Sequence, residues 1–446
     1  MKKIFGVLGL LFLAGLAIVF AVAAAYWNGE GFRSFLSRKV ARAIGVEGRF
    51  APLHLRGLAI SSSEFSGAGV PGSPIAEMRA EDLQARFPLA SLVRGVWKID
   101  PLRIGRLELT FRSAPAQEMP LEASVPAVGR SPGDGTEKTP EVFRRVRLQR
   151  GEIQKAVLHW PSSILGGGTL RGTRMVLEAD GSAWNGRAVG GKLACASLPN
   201  LALEELLFRV VDSGEVTLEQ GLLHSEGSGI IQLVGQMDWQ ERAKGELRFA
   251  TSGVALAPWL PTAWQSRVTG ELEAEGRLSI LPGQPWKIEA GLSLLHGKLE
   301  DLPWLVGLAL NSEASGALPL DQAQARLVAG PEDLAFEGIE VEAKGLLRME
   351  GNLRVQGEQV RGSMRVGLSA ERVALLPGAR EKIFTEERNG YLWTPVVVTG
   401  TVRDPQEDLT PRVTSVAKEA VKAEVQQAIR SALDFLRRSQ VPATTP

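Results

Sequence analysis

Histidine, cysteine and the carboxylates are the side chains that move protons, bind metals or attack carbonyl carbons, and this chain spaces them for none of those tasks. Its four histidines, His54, His159, His224 and His296, stand far apart, so the paired-imidazole spacing of a zinc site is missing. Neither a G-x-S-x-G nucleophile turn nor a phosphate-binding loop occurs; Gly166-Gly167-Gly168 lacks the Lys-Ser/Thr that would make it one. Glu271, Glu273 and Glu275 fall on alternate positions, as on the wet face of a strand rather than in a catalytic dyad. Arg144, Arg145, Arg147 and Arg150 form the densest basic cluster, whose alternate members suit a solvated face or anionic lipid headgroups. The single cysteine, Cys195, excludes an intrachain disulfide framework and reads as a small hydrophobe. The expectation is a non-enzymatic protein with no cofactor and no metal.

Charge points the same way. Lys plus Arg (51) nearly cancels Asp plus Glu (50), so no global field attracts nucleic acid, and none is expected as a partner. Glycine is abundant, at 49 residues, while aromatics make up only 6 %, a profile that fits many short, turn-punctuated strands. Trp259, Trp264, Trp286 and Trp304 stand near prolines and read as turn anchors capping a sheet.

The elements that would position these residues begin with an uncharged run from Ile4 to Ala25. At ~1.5 Å per residue it spans about 33 Å, enough to cross a hydrocarbon core of about 30 Å. Lys2 and Lys3 precede it, and Tyr26 and Trp27 close it at interfacial depth. Two A-x-A sites, Ala21-Val22-Ala23 and Ala23-Ala24-Ala25, leave a cleaved signal peptide as the alternative, but the run is longer than the ~7–15 residues of such an apolar region. Arg33, Arg38, Lys39 and Arg42 outnumber Lys2 and Lys3, against the cationic bias of cytoplasmic flanks. They fall on an amphipathic helix carrying Phe32, Phe35, Leu36, Val40 and Ile44, with Gly45 as its stop, which either rests on a membrane surface or plugs the end of a sheet. The expectation keeps the short N-terminus inside and the bulk outside.

From Arg49 the period changes to two. Leu53 and Leu55, then Leu58 and Ile60, then Leu107, Leu109 and Phe111 alternate with polar residues. Pro88 to Gly95 reads as one or two helical turns, and Ser113 to Pro140 loses all periodicity and reads as a linker. Alternation then resumes and continues to about Arg403. Leu247 and Phe249 share one face, as do Leu272, Leu278 and Ile280. Leu347, Met349, Leu353 and Val355 do the same, as do Met364, Val366 and Leu368, with Arg277, Arg348, Arg354 and Arg365 pointing the other way. These twelve apolar residues are the candidate lining of a lipid site. A loose unit, Gly-polar-apolar-polar-apolar, recurs in Gly270-Glu-Leu-Glu-Ala and Gly351-Asn-Leu-Arg-Val. Two architectures satisfy such a sheet: a closed sandwich or barrel, or an open trough whose apolar face is completed by something other than protein. The segment is near the ~250–300 residues at which single cores stop growing, whereas a quasi-one-dimensional stack continues.

The layout resembles the AsmA-like family of bacterial envelope proteins, which includes the TamB relatives. The resemblance is carried by the N-terminal run and by Phe50-Ala-Pro-Leu-His-Leu-Arg-Gly-Leu-Ala-Ile60. It continues through Ala80-Glu-Asp-Leu-Gln-Ala-Arg-Phe-Pro-Leu-Ala-Ser-Leu92, the strand Ile104 to Phe111, Gly345 to Val355, and Val398-Thr-Gly-Thr-Val-Arg-Asp-Pro405. It covers nearly the whole chain, with the Ser113 to Pro140 insertion as a departure. The resemblance implies an elongated, taco-like β-groove anchored in the inner membrane, projecting into the periplasm and binding or conducting phospholipid in envelope biogenesis.

Past Thr410-Pro411, a good helix start, Val413, Val416, Ala417, Ala420, Val421, Ala428, Ile429, Ala432, Leu433 and Leu436 make an apolar stripe. It suits a helix packed on its own domain, a lid over the groove or a docking helix. The expected organisation is a transmembrane anchor over 1–29, a helix and first β segment over 30–112 and a linker over 113–140. A β-groove over 141–408, an amphipathic helix over 409–440 and a disordered tail over 441–446 complete it. The fold class is mainly β: one transmembrane helix, a curled antiparallel-rich sheet and a C-terminal amphipathic helix. The expected partners are phospholipid or another acyl-chain lipid, the membrane, and other envelope proteins. The second functional reading is an assembly or scaffold protein acting by β-augmentation or through its C-terminal helix.

Overall fold

The computed structural model describes residues 45–56, 59–86, 97–112, 146–161, 166–211, 214–225, 229–238, 244–300 and 317–439, with isolated positions at 30, 33, 34, 37, 38, 41 and 227. The run Ile4–Ala25, the turn Pro88–Gly95, the segment Ser113–Pro140 and the tail 441–446 lie outside the described residues. Among the described residues no helix is long and apolar enough to cross a membrane. Glu30, Arg33, Ser34, Ser37, Arg38 and Ala41 are helical, and Arg33 Nη2 donates to Glu30 Oε1 at 3.1 Å, one turn back. Gly45 stops this helix as the sequence predicts: it adopts φ +68°, and its N–H closes the last turn on the Ala41 carbonyl at 2.9 Å.

The chain is mainly β, antiparallel-rich, with a C-terminal helix. It divides into two compact units, Met1–His224 and Ser225–Pro446. In the first, β1 (Val46–Phe50) and β2 (Leu53–Arg56) share one side of β3 (Ala59–Gly69), and β4 (Ile75–Arg86) takes the other. The short β5 (Trp97–Ile99) leaves the sheet, while β6 (Leu102–Phe111) joins β4 antiparallel. After the long insertion, β7 (Val146–Leu148) pairs in parallel with β5, and β8 (Arg150–Trp160) in parallel with β6. A parallel return requires a crossover of a dozen or more residues, which the insertion supplies. Apolar parity survives the crossing, because Ile104 faces Ile153 and Leu107 faces Ala156. Next come β9 (Gly168–Asp180), β10 (Ala183–Val189), β11 (Lys192–Cys195) and β12 (Leu198–Val211), with β10 and β11 end to end between β9 and β12, followed by β13 (Glu215–Ser225). The core here is Val46, Phe65, Ala80, Ile104, Leu107, Ile153 and Ala156, with the Phe50 ring 4.6 Å from that of Phe65.

The second unit is an antiparallel meander. β14 (Ile230–Asp238), β15 (Lys244–Ala255), β16 (Val268–Ile280) and β17 (Lys287–Leu299) pair in order. The two-residue β18 (Leu318–Pro319) and then β19 (Gln322–Ala329) continue on β17, followed by β20 (Asp333–Ala343), β21 (Leu347–Gln356) and β22 (Gln359–Ser369). Then β23 (Glu386–Arg388), β24 (Tyr391–Gly400) and β25 (Pro405–Glu407) end the sheet, with β24 pairing β22. The helices are α1 (Thr262–Gln265), α2 (Ala370–Val373), α3 (Ala379–Lys382) and the long α4 (Leu409–Ser439). Trp264 on α1 anchors a turn as expected, its Nε1–H donating to the Val402 carbonyl at 3.0 Å; Trp304 lies outside the described residues.

One end of this sheet is sealed. Val373, Leu376, Ala379, Ile383 and Phe384 from the α2–α3 segment, with Leu409 and Val413 of α4, bury Leu347, Met364, Val366, Leu368, Leu392 and Val396. Beneath them Trp393 is buried, its Nε1–H donating to the Arg388 carbonyl at 3.0 Å, with the Arg388 guanidinium 4.9 Å from its ring centre. The outer edge of β24 is also closed. β23 and β25 cover its two ends, Pro395 lacks an N–H, Asp408 takes both backbone groups of Val397, and Arg412 donates to the Pro395 carbonyl at 2.8 Å. α4 starts from the same knot, since Glu407 Oε2 accepts the Leu409 and Thr410 N–H groups at 2.5 and 2.9 Å.

Leu368→Ala empties this sealed end and is expected to lower unfolding free energy by about 2–5 kcal/mol in urea titrations, whereas Leu375→Ala at an exposed site should stay within about 0.5 kcal/mol.

Candidate functional site

Register turns the separate alternations of the Ser225–Pro446 unit into rows. Leu233 faces Phe249, which faces Gly276, then Ala290 and Leu327. The row continues through Phe336, Leu353, Gly362 and Val398, so one apolar line crosses nine strands. Beside it, Gly235, Leu247, Leu278, Ile288, Ala329, Leu334, Val355 and Val360 make a second line across eight. Glycines do not interrupt the floor. A Cβ on Gly276 would meet Phe249 Cζ at 2.8 Å, and one on Gly362 would meet Leu353 Cδ1 at 2.8 Å, so the larger neighbour already fills each position.

Three bulges keep the rows on one side. An extra residue on β15 near Gly253 (φ +63°), on β17 at His296 (φ +51°) and on β20 at Gly338 (φ +56°) each shifts the register by one. Side chains satisfy backbone groups where the ladder breaks: Thr251 Oγ1 accepts the Ala274 N–H at 2.8 Å, and Asn352 Oδ1 accepts the Gly338 N–H at 2.8 Å.

The twelve sequence-predicted lining residues divide into two groups. Leu247, Phe249, Leu272, Leu278, Ile280, Met349, Leu353 and Val355 are half-buried, with apolar surface still open. Leu247 stands directly opposite Leu278, and Met349 packs against the edge of the sealed core. Leu347, Met364, Val366 and Leu368 are buried in that core, and the expectation that they line an open face is corrected: α2, α3 and α4 complete their contacts. Leu233 alternates with Ile231 and Met237 in the sequence but was not among the twelve, and Ile288, Leu327, Leu334 and Phe336 were missed; the register places all five in the same two rows. The alternation Ile288-x-Ala290-x-Leu292-x-Leu294 was the signal available for β17.

The opposite face is mostly polar, with Val234, Leu295 and Val397 exposed among charges that are largely paired. Arg248 and Arg277 stand directly across from each other, an arrangement that is unfavourable unless neutralised. Glu246 takes Arg248 at 2.9 Å, and Glu289 takes Arg277 at 2.9 Å and Lys287 at 2.5 Å, with Arg326 at 3.7 Å. Hydrogen bonds from Lys287 and then Arg277 hold the Glu289 carboxyl well down, at about 2. These side chains border an open depression of about 870 Å³ over Gly291, a position where a Cβ would meet nothing. Its cations are matched by Glu246 and Glu289, and the exposed carboxylate of Glu275 also borders it.

Other predicted candidates fall on exposed or half-buried strand faces beside one or two carboxylates. His159 lies 3.4 Å from Glu108, His224 Nε2 2.5 Å from Glu204, and His296 3.8 Å from Glu271. Arg150 pairs with Glu152 and Glu178, while Arg144 and Arg145 lie outside the described residues. Partial burial raises the Cys195 thiol, which disfavours its thiolate. Among the described residues no group of three or more His, Cys, Asp or Glu side chains is placed to hold a metal ion. Comparison with protein-family models, curated proteins and solved structures finds no match to this chain.

Two outcomes follow from the packing and the charge. Gly276→Ala should cost about 1–3 kcal/mol by driving a Cβ against the Glu289 carbonyl, Ala290 and Phe249, whereas Gly291→Ala should be nearly neutral in the same denaturant series. Glu289 has its carboxyl depressed from an ordinary 4.5 to about 2, so its stabilisation is full above about pH 4.5 and is lost as pH falls through about 2. The melting-temperature gap between wild type and Glu289→Gln should therefore hold at neutral pH and close between pH 4.5 and 2.

Proposed function

We propose that the Ser225–Pro446 unit binds the acyl chains of a phospholipid, and that the protein is an inner-membrane-anchored, periplasmic member of the AsmA-like type that holds or passes lipid in envelope biogenesis. The observation that carries this reading is the pair of unbroken apolar rows whose larger side chains remain partly open. In a closed sandwich, an opposing sheet would bury such residues as thoroughly as the sealed end buries Leu368 and Phe384. An acyl chain gains about 0.8 kcal/mol for each CH₂ it buries and needs no directional contact, so a floor of Leu, Phe, Ile and Val suffices. Polar residues on the opposite face leave that side wet, and α2–α3 gives the apolar floor a blocked end.

The scaffold reading loses its first support at β24. Augmentation needs a free row of N–H and C=O groups, and there the row is occupied by Pro395, Asp408, Arg412, β23 and β25.

The test places photocrosslinking residues in the full chain. Leu278 and Leu353 should capture phospholipid, identified by mass spectrometry of the adduct. Outward Arg277 and Arg354 should not, and buried Val366 should react only with protein. Equal lipid capture at Leu278 and Arg277, or none at either, would favour a closed apolar face and overturn the proposal.

A further inference from the structure

The C-terminal helix changes character along its length. Leu409 and Val413 are buried, and Val416 and Ala420 are partly so. The last ion pair to the body is Lys382 Nζ with Glu419 at 2.8 Å. From Val421 to Ser431, every residue whose exposure is described is exposed, so the helix continues as an arm. The span from Val421 to Ser439 is about 28 Å long at ~1.5 Å per residue. In proteins most helical stability comes from packing an amphipathic face rather than from intrinsic propensity, so an exposed apolar stripe calls for a partner.

The arm keeps an apolar stripe, and the stripe does not continue the face that packs on the body. Val421, Val425 and Ile429, spaced four apart, are 53 %, 54 % and 54 % exposed. At ~100° per residue their mean direction lies about 150° around the helix from that of Leu409, Val413, Val416 and Ala420. Folding back as a lid would turn the stripe away from the arm's own domain, so the geometry argues for an external occupant.

Charge identifies that occupant. Lys418 falls in line with the stripe, one turn before Val421, and Lys422 stands at its margin next to Ile429. Neither makes an ion pair among the described residues, nor does Arg430, whereas Glu419 is tied to Lys382. This contrasts with the sheet, where arginine after arginine, including Arg103, Arg187, Arg209, Arg277 and Arg354, meets a carboxylate. An apolar strip edged by uncompensated lysines is the pattern of a helix lying in a lipid–water interface, its Val and Ile in the acyl boundary and its lysines reaching anionic headgroups. A protein groove would demand neutralising acids, and a parallel second copy would set Lys418 and Lys422 beside their own counterparts.

We infer that the α4 arm, residues 421–439, docks on the surface of an anionic bilayer through Val421, Val425 and Ile429, with Lys418 and Lys422 at the headgroups. This site is separate from the apolar rows of the sheet and stands independently of the lipid-binding proposal.

The experiment uses the full chain with Cys195→Ser, labelled with an environment-sensitive fluorophore through Val425→Cys or, as the opposite-face control, Gln427→Cys. It is reconstituted in vesicles of phosphatidylcholine with or without phosphatidylglycerol, with a lipid-borne quencher in the same bilayer or in a second vesicle population. Several-fold stronger quenching at 425 than at 427, present with phosphatidylglycerol and weakened by high salt or by Lys418→Glu with Lys422→Glu, is the expected result. Circular dichroism on each variant checks that the exposed substitutions leave the fold intact. Equal quenching at the two positions overturns the inference. So does shielding of 425 that depends on protein density and not on phosphatidylglycerol, which would mark a second copy, or shielding that persists without lipid. A label at Leu278 reports separately on the groove, so the two proposals fail independently.

Discussion

A pleated strand has two faces, and a slip of one residue exchanges them. The second unit depends on resisting that exchange across nine strands. Its strands do not share one parity: β15 points Leu247 and Phe249 inward before Gly253 and Val254 after it, and β20 points Leu334 and Phe336 inward before Gly338 and Ile339 after it. Without the extra residue at each bulge, one half of each strand would turn its apolar residues to water and its glutamates inward. The left-handed conformations at Gly253, His296 and Gly338 are the local cost of one uninterrupted apolar side. Thr251 and Asn352 reduce that cost by satisfying backbone groups that the bulges leave without a strand partner.

The same constraint governs how the sheet ends. An apolar face and an open edge are both aggregation hazards, and the two are handled by one short stretch of sequence. Residues 370–384 fold over the apolar ends of β21, β22 and β24, while Glu407, Asp408 and Arg412 occupy the edge of β24 and start α4. The knot is therefore a plug, an edge guard and a helix cap together. The large side chains are fully enclosed here and partly open along the rows. That contrast marks where other segments of the chain complete the apolar face and where the row side chains stay partly open.

What the sequence could reveal follows from the bulges. All twelve candidates read from alternation lie on uninterrupted runs: β15 before its bulge, and β16, β21 and β22, which carry no extra residue. Leu334 and Phe336 escaped because β20 does not alternate as a single strand, so a period-two template loses half of it. β19 escaped because its inward positions are mostly alanine, too small to register as an apolar face. The C-terminal helix was legible from its own residues, but its cap was not, because Glu407 reaches it from a strand whose place depends on β24. Burial of Val366 and Leu368 was equally invisible, since alternation reports which side a residue takes and never what covers that side. The parallel return of β8 onto β6 was illegible for a related reason: pairing across an insertion rests on contacts between distant runs.

Chemistry that depends on direction needs a few groups held at fixed distances, and such groups leave motifs. Apolar contact has no direction and scales with area, so a surface built for it leaves only a pattern. This chain carries that pattern in its rows and spends its charges elsewhere, in cross-strand pairs such as Arg277–Glu289 and Arg103–Glu152. Exposed pairs of this kind add little stability each, but they set register: slipping β16 by one residue would move Arg277 from Glu289 and place it against a neighbour of the other face. The ion pairs and the apolar rows thus enforce the same alignment from opposite sides of the sheet. A surface of this type can change its individual Leu, Val and Ile residues freely while volume and parity are kept. That freedom would let sequence drift while the surface is retained, which accounts for a chain whose architecture is clearer in its periodicity than in any single residue.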